Sequence, residues 1–197
     1  MQEKLSATFT AGLIAGGKSS RMGRDKAFVI YQGKPLWKHQ ADGLLELQPA
    51  HLLISGKPEQ TFGSYPLITD LVAEAGPLAG IAALLSAIET PLLLVLAVDM
   101  PNLKNEWLKR LLTASTATCG AISQHATHQP FSGLYEPLAA VYPRESLSIA
   151  NKLLSARVLS LQTFACRLVS EGLANAVTIS PTDTAMFKSL NEPSDLE

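Results

Sequence analysis

The chain has 197 residues, 47% of them apolar and 17% charged, with a formal net charge of −1 at pH 7. That length holds one ordinary core, or a core with a small appendage. The near-neutral balance excludes the strong basic surface that nucleic-acid binding needs.

The N-terminal "MQEKLSATFT" has no apolar targeting region. The longest apolar stretch, "PLLLVLAVDMP" at 91–101, is far short of a membrane span. A soluble, cytoplasmic protein with no membrane partner is expected. Cys119 and Cys166 lack a C-x-x-C partner, so a disulfide framework is not expected and both are read as buried thiols.

In chain order, "TFTAGLIA" at 8–15 predicts a first strand feeding a glycine loop. From Pro35, the positions Leu36, Trp37, Gln40/Ala41, Leu44, Leu45 and Leu47 recur at helical spacing. "AHLLISG" predicts a second strand and "YPLITD" a brief third that ends in an acid. "GPLAGIAALLSAIET" predicts a helix opened by Pro77, with Leu78, Ile81, Ala82, Leu85 and Ile88 on one face. "PLLLVLAVD" is apolar without alternation, the pattern of a central strand in a parallel sheet covered by helices. "NEWLKRLLTAS" predicts the next helix.

The second half is less regular. "CGAISQ", "EPLAAVYP" and "NAVTIS" read as strands, "HATHQPFSG" as a loop, and "ESLSIANKLLSA" and "VLSLQTFACRLVSEG" as helices. Alternating strand and helix predicts an α/β protein with an open, mostly parallel sheet. Without a repeat or a low-complexity linker, residues 1–197 are expected to form a single domain.

Open α/β sheets bind ligands at the carboxyl ends of their strands. Three polar signals fall at such ends: the loop after Ala15, Asp70 after "YPLIT", and Asp99 after "LLLVLAV". The loop begins with Gly16 and Gly17 and carries Lys18, Arg21, Arg24 and Lys26. It fits neither the dinucleotide fingerprint nor the Walker A template. Glycine lets backbone close around a polyphosphate, and Arg and Lys add charge-assisted bonds; a solvated basic turn is the alternative. Asp99 either caps the segment after it or holds a divalent cation, and Mg²⁺ favours one or two carboxylates plus substrate phosphates. The histidines give no catalytic candidate: His125 and His128 are assigned to a loop, and His39 to the rim of its helix's apolar face.

The stretch "LIAGGKSSRMGRDKA", followed in order by "GKPLWKH", "ITD", "GPLAGI", "AVDMP", "EPLAAVY" and "MFKSLNEPSDL", resembles the molybdenum cofactor guanylyltransferases, the MobA-like nucleotidyltransferases. The likeness runs from about residue 10 to residue 196. It implies a three-layer Rossmann-like fold, and transfer of GMP from GTP to the terminal phosphate of molybdopterin with Mg²⁺ and release of pyrophosphate. It further implies that Ile14, Ala15, Gly16 and Gly17 meet the nucleotide through backbone, and that Arg21 and Lys26 hold phosphates. Asp70 would contact the nucleotide, Gly76, Pro77 and Gly80 would frame the guanine, and Asp99 would carry the metal. Three positions depart from the family pattern. Ser55 stands where an asparagine faces the base or ribose. Ser189 and Glu192 alter the C-terminal signature, leaving Asn191. Serine lacks the amide's paired donor and acceptor, which predicts looser base selection. A monomer is expected, in transient contact with cofactor-inserting or acceptor proteins. The alternatives are a cytidylyltransferase, a sugar-phosphate nucleotidyltransferase, or a non-catalytic nucleotide-binding relative.

Overall fold

The first strand, β1 (Phe9–Ile14), and the strand at Leu92–Ala97 are buried at every position. Each is covered on both faces, which explains why neither alternates in polarity. In this computed structural model, residues 7–16, 25–70, 72, 75–126 and 134–190 are described.

After β1 the chain forms a short 3₁₀ turn at Lys26–Phe28, then a hairpin of β2 (Ile30–Tyr31) and β3 (Lys34–Pro35). Helix α1 (Leu36–Leu45), β4 (His51–Gly56), β5 (Leu67–Thr69), α2 (Pro77–Ala87), β6 (Leu92–Ala97) and α3 (Asn105–Thr113) complete the first half. The second half contains β7 (Gly120–His125), β8 (Tyr135–Pro143), α4 (Ser146–Ser155), α5 (Leu161–Ser170) and β9 (Ala174–Ile179). A last 3₁₀ turn spans Thr184–Phe187.

Among the described residues seven strands join one sheet in the order β5-β4-β1-β6-β8-β7-β9. All run parallel except β8, which is antiparallel to both β6 and β7. The two faces separate by residue parity. Leu92, Leu94 and Leu96 pack with residues of α1 and α3, including Leu44 and Leu108. Leu93 and Val95 pack with α2, α4 and α5 through Leu84, Leu153 and Phe164. Burying each of the four β6 leucines contributes about 1.5–3 kcal/mol. The result is the expected three-layer α/β arrangement. No described helix is long and apolar enough to cross a membrane.

Several expectations change. β6 has one antiparallel neighbour, so its all-apolar character reflects cover on both faces and not parallel pairing on both sides. The hairpin at 30–35 escaped the sequence pattern because its strands are two residues long; its Gln32-Gly33 turn has φ of 48° and 82°, the left-handed pair that a tight hairpin uses. His125 belongs to β7 and is buried there, not in a loop; His128 lies outside the described residues. The cysteines are not buried: Cys119 is partly exposed and Cys166 exposed, both as free thiols. On α5 the core face is taken by Phe164, Ala165 and Leu168, which leaves Cys166 on the other side.

Candidate active site at the carboxyl edge of the sheet

Parallel pairing brings the carboxyl ends of β1, β4, β5 and β6 to one edge. Backbone bonds hold these ends together. The amides of Ala15 and Gly16 both donate to the Ser55 carbonyl, at 2.8 and 3.1 Å, and the Val98 amide donates to Ile14 at 3.0 Å. Ile14, Ala15 and Gly16 therefore form a flat floor with their neighbours. Two of the amides that sequence reading assigned to the nucleotide are committed to Ser55.

Beside that floor, Ser55 is 3% exposed and its hydroxyl donates to Asp70 Oδ1 at 3.4 Å. Helix α2 closes against the same place at Gly80. A Cβ at that position would lie 2.7 Å from Ser55 Oγ, 3.3 Å from Ile14 Cδ1 and 3.4 Å from Asp70 Oδ1. Only a residue without a side chain lets the helix come so near. Gly76 serves differently: among the described residues nothing lies near its absent Cβ, but its φ of 66° suits glycine, and it turns the chain into Pro77 at the helix start. The start of α2 thus lies at this edge, where backbone N–H groups and the helix dipole favour anions.

The surrounding protein raises the Asp70 carboxyl above the usual carboxylate range through desolvation, and the Ser55 hydroxyl opposes part of that rise. Asp70 as a whole remains exposed, so solvent screening keeps the effect modest.

The second group of residues lies around Asp99, two positions beyond β6. Its carbonyl accepts the Leu190 amide at 2.8 Å, which brings the C-terminal segment to the site. Its Oδ2 lies 3.4 Å from Lys26 Nζ, with the two side chains 25% and 20% exposed. A cation and a carboxylate are held together at this edge, both still partly accessible. Three side chains grip the chain on either side of Asp99. Gln40 donates to the Ala97 carbonyl at 3.2 Å. Tyr31 donates to Asn102 Oδ1 at 3.3 Å, and its ring packs edge-on against His39. His39 makes a hydrogen bond with the Pro101 backbone; burial and the neighbouring Lys34 lower its pKa.

The structure thus gathers Ile14, Ala15, Gly16, Lys26, Ser55, Asp70, Gly76, Pro77, Gly80 and Asp99 along one edge. Gly17, Arg21 and Asn191 lie outside the described residues. Sequence reading placed Gln40 on its helix but did not assign Asp25, Gln40 or Gln60 to the site; Gln40 reaches the Ala97 carbonyl and Gln60 reaches Asp25 only through tertiary packing. It also missed the contact of His125 Nε2 with Glu136 Oε1 at 2.7 Å, which joins the ends of β7 and β8. Behind the segment that carries Asp99, a cavity of about 370 Å³ lies between α1 and the residues leading into α3, with His39, Gln40 and Pro101 in its lining. Lys34 and Lys104 share its lining with Asp42, Glu46 and Glu106, a mixture that selects no one ligand charge.

A mostly parallel sheet with an anion-favouring helix start, a carboxylate and a lysine at its carboxyl edge suits an α/β protein that takes a phosphate-bearing ligand. Residues 11–167 match the MobA-like NTP transferase domain. The chain belongs to that family. It is 32% identical to a probable molybdenum cofactor guanylyltransferase of Opitutus terrae over 96% of this chain and 94% of the relative. It is 33% identical to another probable molybdenum cofactor guanylyltransferase, from Flavobacterium johnsoniae, over 78% of each chain. In fold it resembles molybdopterin-guanine dinucleotide biosynthesis protein A of Archaeoglobus fulgidus, with a TM-score of 0.73, 21% identity, and 95% and 94% of the two chains covered.

Proposed function

We propose that this chain is a molybdenum cofactor guanylyltransferase that transfers GMP from GTP to the terminal phosphate of molybdopterin and releases pyrophosphate. The observation that carries nucleotidyl transfer is the pairing of Lys26 with Asp99 at 3.4 Å beside the strand-end floor. The choice of acceptor is supported by the relatives that share almost the whole chain.

The nucleoside is assigned to the cradle of Ile14, Ser55, Asp70 and Gly80, with Gly76 and Pro77 framing the base. The triphosphate is assigned to Lys26 and to Arg21 from the glycine loop. The acceptor is a phosphate monoester, already anionic and nucleophilic, so no strong general base is demanded. The barrier lies in bringing two anions together and in stabilising the leaving pyrophosphate. Lys26 lowers both contributions by placing positive charge at the oxygens where negative charge accumulates.

Mg²⁺ fits the residues present. Among the described residues no group of three or more His, Cys, Asp or Glu side chains could hold a metal. A single accessible carboxylate, Asp99, matches an ion that takes most of its ligands from phosphate and water. When bound, the ion would polarise the phosphoryl oxygens and neutralise charge. Asp99 is its proposed protein ligand, and Lys26 beside it orients the phosphate chain. The same reading places the reaction in the cytoplasm, where GTP is supplied as donor.

The test is incubation of the protein with each NTP, Mg²⁺ and molybdopterin, scoring pyrophosphate release. GTP is expected to lead. Release dependent on CTP instead would favour the cytidylyltransferase alternative. Release with none of the NTPs, although one raises the melting temperature, would favour a binding protein.

A further inference from the structure

The turn that carries Lys26 is secured from outside the glycine loop. Gln60 lies in the segment after β4 and is 6% exposed. Its Oε1 accepts the Lys57 amide at 2.5 Å, and its Nε2 donates to Asp25 Oδ2 at 2.5 Å. These partners fix the amide's orientation, since a backbone N–H can only donate and a carboxylate can only accept. The other Asp25 oxygen, Oδ1, accepts the Ala27 amide at 3.1 Å and caps the 3₁₀ turn. Lys26 lies between those two residues and reaches Asp99. An apolar contact runs alongside, where Phe28 stacks on Phe62 with ring centroids 5.4 Å apart. The end of β4 leaves room for the amide, because a Cβ at Gly56 would strike Gln60 Oε1 and lie 3.1 Å from Phe62.

We propose that Gln60 is the positioning residue for Lys26, holding it through Asp25 at the phosphate end of the site. The inference rests on the reading of Lys26 as a phosphate-binding lysine. The chemistry of position 60 is narrow. It must accept from Lys57 and donate to a carboxylate about one side-chain length away. Glutamate would keep the acceptor but set a second carboxylate against Asp25. Asparagine is one methylene short, and methionine fills the space without either bond. The half-buried Asp25 carboxylate and the Lys57 N–H would each lose a partner, and the turn between them would be free to shift. Lys26, next in sequence, would lose its fixed approach to the phosphates.

Calorimetry with Mg²⁺-GTP and with guanosine tests this on wild type, Gln60→Met, Lys26→Ala and the double variant, with each melting temperature recorded. Gln60→Met is expected to weaken GTP binding at least tenfold and to leave guanosine binding within twofold, since only the phosphate end loses its mount. In the Lys26→Ala background the same substitution should change GTP affinity by less than twofold. Gln60→Glu keeps the bond to Lys57 and should weaken GTP binding as Gln60→Met does; it carries the comparison should the methionine variant not fold. Equal losses for GTP and guanosine, additive losses in the double variant, or unchanged GTP affinity would overturn the positioning role. A Lys26→Ala variant with wild-type GTP affinity would overturn the underlying reading of Lys26 instead, and the two failures are distinguishable.

Discussion

The two halves of the sheet finish differently at the site edge. β1, β4, β5 and β6 end in small or acidic residues: Ala15 and Gly16, Ser55 and Gly56, Asp70, and Asp99. β7 and β8 carry a network of polar contacts within the protein instead. His125 meets Glu136 at 2.7 Å, and Trp107 Nε1 donates to Ser123 Oγ, which donates onward to the Ala139 carbonyl, both at 2.9 Å. The first half gives up side-chain volume where a ligand would sit, and the second half turns polar side chains toward partners within the protein. Substitutions in the first half should therefore change binding and catalysis, whereas those in the second should change stability.

The largest effect is expected from Asp99→Asn. The amide keeps the carboxylate's shape but removes its charge, and with it the proposed metal ligand and the partner of Lys26. Removal of a charge that stabilises a transition state costs about 100-fold or more in turnover. Pyrophosphate release at saturating GTP and Mg²⁺ should drop by at least that factor, with melting unchanged within a few degrees. Near wild-type turnover would remove Asp99 from the chemistry and break the comparison on its strongest side.

Ser123→Ala tests the opposite half. Ser123 is fully buried and sits where β7 shifts register against β8. Without its hydroxyl, the Trp107 indole N–H and the Ala139 carbonyl lose their shared partner. Such a loss destabilises by about 1–3 kcal/mol, and each kcal/mol lowers the melting temperature of a chain this size by about 2–4 °C. Thermal melts should show that shift while GTP affinity measured by calorimetry stays within twofold. A clear loss of GTP affinity would show that the network supports the nucleotide site and is not a separate stabilising core.

How much of this was legible in the sequence follows the range of the interactions. β1, α2, β6 and Asp99 announce themselves through unbroken apolar runs, a proline at a helix start and an acid at a strand end, all local features. The direction of β8 could not be read, since "EPLAAVYP" has the same apolar content whether it runs with or against β6. Gln60 was invisible for a related reason: it acts on Asp25, 35 residues away, and nothing in its neighbourhood marks that pairing. Ser55 was noticed as a departure from the family pattern. Its buried bond to Asp70 and its closeness to Gly80 emerge only from tertiary packing.

On stability, Asp70→Asn should give the smallest effect and draws the finest line between the halves. The folded protein raises the Asp70 carboxyl through desolvation, only partly opposed by Ser55, above the unfolded value of about 3.9. Between those two values the native state holds more protons than the unfolded state. Stability therefore falls as pH rises from the unfolded value through the folded one, and stays at the lower level above it. Asparagine does not titrate, so the variant should melt higher than wild type at neutral pH, with the gap narrowing as pH falls toward 4. Because Asp70 is exposed, the gain should not exceed about 0.5 kcal/mol, the scale of a surface substitution. Melts across pH 4 to 7 check the trend. A gap that is constant with pH would mean that Asp70 carries no folding penalty. A carboxylate that slightly weakens the fold, beside a glycine that admits the helix, is what a half-sheet shaped for a ligand should contain. In the other half, Glu136 and Ser123 meet partners within the protein instead.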